Sequence, residues 1–197
     1  MSLEEKVEEV VKLFILVDNA VAEFRKESKL RCLRTCSRCC NPRIHATVLE
    51  FLPLAYWFHK KGVAREWLIK LREEPVQEER NCILLKYLRF RGDFGRCSVY
   101  KMRPLVCRLF GFAAVLDKNL LPKLVTCQVI KTAFRENYIK ALSGMGTSMH
   151  VPVMKDYYMM LYAIDPTAAR IHYPIRTALR MAIEMVLGHF TYQRSEE

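Results

Sequence analysis

Cys32-Leu-Arg-Thr-Cys36-Ser-Arg-Cys39-Cys40 places four cysteines in nine residues. Four more follow, at Cys82, Cys97, Cys107 and Cys127, and none lies outside the span from Cys32 to Cys127. A lone cysteine can serve as a small apolar core residue, but packing alone does not account for this density. Thiolates converging on an ion do account for it. Ligands close together in sequence lose little loop entropy when they meet, and Cys36-Ser-Arg-Cys39 is a knuckle of that kind. Cys39 and Cys40 are chain neighbours whose side chains tend to diverge. They point to two metals, to a polynuclear centre, or to one ligand beside one packing thiol.

The composition frames this reading. A chain of 197 residues, about half of them apolar, suits a single domain with a core of ordinary size. The cysteines are therefore not needed as staples for a chain too small to fold. Met1 to Val10 is acidic, and the apolar run after it is broken by Lys12 and Asp18, which does not fit a signal peptide. No run of about 18 uncharged apolar residues occurs, so no membrane partner is expected. The expected location is cytoplasmic. In a reducing compartment, clustered cysteines are metal ligands or redox centres more often than disulfides.

The net charge of +11 is concentrated in two windows. Arg25 to Arg43 carries seven basic residues against Glu27, and Lys86 to Arg108 carries seven against Asp93. Such windows can mark a nucleic-acid or anionic-lipid surface. They can also offset a buried set of thiolates, lowering thiol pKa and favouring the ligating form. Compensation is the favoured reading, because the charge follows the cysteines along the chain.

Hydrophobic periodicity organises the rest. Val10, Leu13, Phe14, Val17, Val21 and Phe24 recur at helical steps and predict a helix over 3–28. Thr47-Val-Leu-Glu50 reads as a capping box, with a helix running to about His59, ending near Gly62 and kinked at Pro53. A shorter helix is expected over 63–73. Short strands are expected at 83–90 and 97–100 around a turn at 91–95, and at 110–116 and 120–125 around Asp117-Lys-Asn119. Helices return over 128–142, 152–163 and 174–188, with a loop at 143–148 and a break at Asp165-Pro166. The expected fold class is α+β, mainly helical. A cysteine-rich metal-binding core with short β-hairpins (30–127) is covered by helical additions at 1–29 and 128–197, all within one domain, 1–197.

The later cysteines form a second pattern, Cys97-Ser-Val-Tyr100-Lys-Met-Arg103-Pro104-Leu-Val-Cys107-Arg108, preceded by Asn81-Cys82-Ile-Leu-Leu85. Together with the first run, this resembles the YkgJ-type cysteine-cluster family, a zinc- or iron-chelating domain. All eight of the family's cysteine positions have a cysteine here. Two details depart from it: Cys32 and Cys36 are separated by three residues rather than two, and Ser37 stands where the family often has glycine. The resemblance implies a metal site built from Cys32, Cys36, Cys39, Cys40, Cys82, Cys97, Cys107 and Cys127. The bound group would be zinc or iron, an iron–sulfur cluster included. Two closed zinc sites would use all eight thiols, whereas one iron–sulfur cluster would need four.

The flanking residues admit two readings each. Arg103 and Arg108 are candidate cofactor-binding groups, able to donate to cluster sulfurs or to an anion, or else to form salt bridges. Cys82 and Cys127 have apolar neighbours and could be core. Tyr100 reads as a packing residue, and His45 as a substitute ligand. Seven of the nine methionines fall between Met145 and Met185 and suggest a plastic helical core. No nucleophile elbow, P-loop or dinucleotide fingerprint occurs. The leading function is metal binding, with the metal first a structural element. One alternative is an iron–sulfur redox protein or enzyme. The other is a basic nucleic-acid-binding module, which is not favoured. No protein partner can be read.

Overall fold

The computed structural model of the chain describes residues 1–33, 35–41, 43–73, 82–87 and 95–193. Helix α1 (Leu3–Ser28) begins with a closed capping box. The Ser2 hydroxyl accepts the Glu5 N–H at 3.1 Å, and the Glu5 carboxylate accepts the Ser2 N–H at 2.7 Å. All six residues of the expected apolar stripe are buried, each stabilising by roughly 2 kcal/mol through removal of its side chain from water. Lys29, in the left-handed region at φ 56°, ends the helix. Leu30 then turns fully into the core.

Strand β1 (His45–Thr47) leads through a 3-10 turn (Leu49–Phe51) into α2 (Leu52–Lys60). The helix expected from Thr47 thus starts later, because Thr47 ends a strand. Pro53 lies in the first turn of α2, where its missing N–H would have had no helical partner. The expected kink is accordingly absent from that position. Gly62, at φ +73°, separates α2 from α3 (Ala64–Glu73).

Strands β2 (Leu85–Tyr87) and β3 (Gly95–Cys97) pair antiparallel, with Leu85 opposite Cys97. Of the turn expected at 91–95, residues 91–94 lie outside the described residues, and Gly95 begins β3. The second expected strand is shorter than anticipated, because Tyr100–Met102 forms a 3-10 turn. Pro104 then caps α4 (Leu105–Leu109). The hairpin expected around Asp117 is present as β4 (Ala113–Leu116) and β5 (Pro122–Val125), both strands starting later than the expected 110 and 120.

The expected helix over 128–142 is divided at Phe134 into α5 (Gln128–Ala133) and α6 (Arg135–Gly144). Helices α7 (Met154–Ile164) and α8 (Pro166–Ala169) come next, with Asp165 capping α8 through the Thr167 and Ala168 N–H groups at 3.0 Å each. Strand β6 (His172–Pro174) pairs antiparallel with β1, and α9 (Ile175–Gln193) completes the described chain.

The result is a mainly helical α+β fold, about 60% helix, with three two-stranded antiparallel sheets among the described residues. Helix α2 packs against both α1 and α9, while α4 and α7 pack on α1. Lys6 of α1 reaches Asp165 at 2.8 Å, and His189 of α9 lies 4.0 Å from Glu4. Met145 is buried in this arrangement, but Met159, Met160 and Met185 are exposed, so the methionines are only partly core. Trp67 stacks on Phe58 at 4.7 Å between ring centres. No helix among the described residues is long and apolar enough to cross a membrane.

Candidate metal centre

Three backbone segments carry the cysteines. The first leaves α1 over Leu30 and presents Cys32 at the surface. Thr35, at φ 65°, and the Cys36 N–H to Leu33 carbonyl bond at 3.2 Å turn the chain back. A second turn, closed by the Cys40 N–H on the Ser37 carbonyl at 2.8 Å, holds Cys39 and Cys40.

Two backbone bonds join this run to the second segment. The Cys82 N–H donates to the Cys40 carbonyl at 3.0 Å, and the Gly95 N–H donates to the Thr35 carbonyl at 3.1 Å. Cys82 sits on the turn entering β2, and Cys97 ends β3 opposite Leu85. Gly95 has no room for a side chain: a Cβ there would stand 2.8 Å from Leu85 and 2.9 Å from the Lys86 carbonyl. Cys107 lies in α4, between the fully buried Leu105 and Leu109. Cys127, in the third segment, is the residue before α5, after β5. All eight carry free thiols, with Cys32 exposed and the other seven partly buried.

The thiols perturb one another's charge. Burial pushes Cys107 up, and the fields of Cys82, Cys39, Glu50 and Cys97 add to it. Cys82 is pushed up to about 11 by burial and then by Cys97 and Cys39. Burial likewise raises Cys97, against Arg103, which favours its thiolate. Cys40 is raised by its hydrogen bond to Cys39, then by burial and by the fields of Cys39, Cys82 and Cys107. Cys39 moves the other way, down to about 7, because the Cys40 thiol donates to it and Arg103 stands near, in spite of burial. Cys32 forms a second neighbourhood, pushed up to about 11 by burial, then by Cys36, Cys39 and Cys127, with Arg25 opposing. Cys39 belongs to both groups, and among the shifted thiols it is the one moved toward its ionised form.

Among the described residues, no three or more His, Cys, Asp or Glu side chains stand in an arrangement ready to hold an ion. The thiols are electrostatic neighbours, not a closed coordination shell. Their chemistry nonetheless suits zinc or iron, since both take thiolate sulfur.

Of the two candidate arginines, Arg103 stands closer to this chemistry. Its charge favours the thiolates of Cys39 and Cys97. It also covers the Tyr100 ring at 4.1 Å and donates to the Tyr100 carbonyl at 3.1 Å. Tyr100 itself is exposed, so its ring serves Arg103 rather than the core. Arg108 is almost fully buried and directs its donors to the Arg103 carbonyl at 2.9 Å, to the Lys101 carbonyl and to Asp18, with its guanidinium over Phe14. It ties the cysteine segment to α1. His45 is the exposed first residue of β1, its Nδ1 2.9 Å from the Arg43 carbonyl.

Two residues carry more than their sequence context suggested. Glu50 closes the expected box, accepting the Thr47 N–H at 2.8 Å, while the Thr47 hydroxyl accepts the Glu50 N–H at 3.3 Å. Its other carboxylate oxygen accepts the Val106 N–H at 3.0 Å, one residue before Cys107. The box was legible from Thr47 and Glu50, but the reach to Val106 was not. Asp18 looked like an interruption in an apolar run. In the fold it faces Arg108 and, at 3.5 Å, Arg103.

A mainly helical α+β protein with eight free cysteines between Cys32 and Cys127 belongs, by chemistry, among cysteine-rich metal-chelating domains. The family follows from comparison. The chain belongs to the putative zinc- or iron-chelating domain family, CxxCxxCC, whose profile matches residues 31–138, more than half of its length. Comparisons with curated proteins and with solved structures return no match.

Proposed function

We propose that Cys32, Cys36, Cys39, Cys40, Cys82, Cys97, Cys107 and Cys127 hold zinc or iron, and that this binding ties three chain segments to α1. The observation that carries the reading is the proximity of Cys39, Cys40, Cys82, Cys97 and Cys107, which lie within one another's fields although they come from separate chain segments, with Arg103 beside Cys39 and Cys97. Ligating thiols must lose their protons, and the Arg103 guanidinium favours that form at Cys39 and Cys97. When bound, zinc would supply a redox-inert thiolate tie, whereas an iron–sulfur centre would also supply electron transfer. Arg103 offsets the negative charge left by deprotonation. Free thiols in this number suit a reducing compartment such as the cytoplasm.

The same reading takes 1–197 as one domain. The packing of α4 on α1, and the Asp18 contact to Arg108, support it by binding the terminal helix to the cysteine core.

The test is metal analysis of protein purified without oxygen, paired with an optical spectrum. About one or more equivalents of zinc in colourless protein, or iron with visible charge-transfer bands bleached by dithionite, is the expected pair of outcomes. Protein carrying well under one equivalent of any transition metal would overturn the proposal.

A further inference from the structure

The hairpin β4–β5 ends in a tip that the metal centre does not use. Leu120 is 74% exposed and Leu121 60% exposed, the first among the most exposed apolar residues of the chain. Val115 and Leu116 on the same hairpin are also exposed. Leu120 holds φ 62°, in the left-handed region. That conformation suits glycine or asparagine and costs a side-chain-bearing residue on the order of 1 kcal/mol. The fold thus accepts strain in order to hold a leucine in water, where burial gives nothing back.

The tip is firmly built. The Asp117 carboxylate accepts the Asn119 N–H at 2.8 Å and the Leu121 N–H at 3.0 Å. The Leu120 N–H reaches the Asp117 carbonyl at 3.0 Å, and the Asp117 N–H reaches the Leu121 carbonyl at 2.9 Å. The negative charge of Asp117 is therefore turned inward onto its own backbone. Lys118 and Lys123 stand exposed on either side. An apolar tip flanked by Lys118 and Lys123 is complementary to an anionic lipid surface. Leucines enter the headgroup–acyl boundary while the two ammonium groups meet the phosphates.

We infer that the β4–β5 tip docks this protein on the surface of an anionic bilayer, with Leu120 and Leu121 inserted and Lys118 and Lys123 at the headgroups. This is a peripheral contact and is compatible with the absence of a spanning helix among the described residues. It departs from the expectation that no membrane is involved. That expectation rests on the lack of long apolar runs, which a two-residue tip does not require.

The test is co-sedimentation of the full chain with vesicles of phosphatidylcholine alone or mixed with phosphatidylglycerol. Two variants accompany it: Leu120→Gly with Leu121→Ser, and Lys118→Glu with Lys123→Glu. Glycine relieves the left-handed strain at position 120, so the tip variant is expected to unfold at the same temperature or higher. Binding to phosphatidylglycerol vesicles is expected, falling about tenfold in each variant and weakening with salt. Binding that is absent, or equal on phosphatidylcholine alone, would overturn the inference. Binding unchanged in the tip variant would do so too, since it would place the contact on the basic windows. So would a dimer abolished by the tip variant without any vesicle binding, because the tip would then serve a second copy of the chain.

Discussion

Glu50 and Val106 are joined across the core: a fully buried carboxylate on the turn before α2 accepts the backbone N–H next to Cys107, at 3.0 Å. The same carboxylate accepts the Thr47 N–H. One side chain thus fixes the entry to α2 and the position of α4 against it. Glu50→Ala removes both acceptors and leaves buried donors unsatisfied. Urea denaturation is expected to show a loss of about 2–4 kcal/mol. Metal uptake should weaken as well, because Cys107 loses its backbone support. Unchanged stability in this variant would exclude the bridging role.

The same residue sets a pH dependence. Burial raises the Glu50 carboxyl to about 7, although the Thr47 and Val106 donors favour its ionised form. Its folded-state pKa therefore lies above the ordinary carboxylate value, and the folded state binds the proton more tightly than the unfolded chain. The resulting stability is fully present below about pH 4.5 and is lost as pH rises through about 7. Relative to Glu50→Gln, the natural chain should lose on the order of 2–3 kcal/mol across that window. Parallel stability curves for the two proteins between pH 5 and 8 would contradict it.

Asp18 stands opposite two guanidiniums, and Arg108 is almost fully buried. Asp18→Ala leaves that charge without its carboxylate. The expected cost is about 2 kcal/mol, less than for a fully buried pair because Asp18 is half exposed. Thermal unfolding measures it. Asp18→Glu should recover part of the loss, since it restores the charge but not the reach.

Metal affinity should fall steeply with acid. Cys32, Cys40, Cys82, Cys97 and Cys107 are all held above an ordinary thiol. Each must release a proton to ligate, so competition titration should show affinity falling at least about 10²-fold from pH 8 to pH 6. A flat profile would mean that few of these thiols take part.

Removing single thiols should rank them. Cys39 belongs to both neighbourhoods, whereas Cys127 acts only on Cys32 among the shifted groups. Cys39→Ala is expected to lose most of the bound metal, and Cys127→Ala to lose less. Metal content per chain, after purification without oxygen, decides between them. The reverse order would place the centre around Cys32 and Cys127.

Much of the helical frame could be read from local pattern. The stripe from Val10 to Phe24 located α1, and Asp165-Pro166 located the break before α8. The sheet of β1 and β6 could not be read in this way. Its strands are three residues each and pair His45–Thr47 with His172–Pro174, far apart in sequence. So short a strand has no period of its own, and α9, not local propensity, brings the partner into register. Helix α4 escaped for a related reason. Five residues after Pro104 give barely one turn, and the helix is held by burying Leu105 and Leu109.

The amino-acid order alone determined the donor chemistry: eight thiols, their spacing, the basic residues that travel with them, and the amphipathic helices that flank them. These are properties of composition and of neighbours a few residues apart, where the covalent chain does the placing. Which thiols share a field, which carboxylate supports Cys107, and which arginine faces the sulfurs were decided only by the tertiary fold. Each depends on segments tens of residues apart being held together by packing on α1. No local propensity encodes that proximity, because its stabilisation exists only once the whole core has formed.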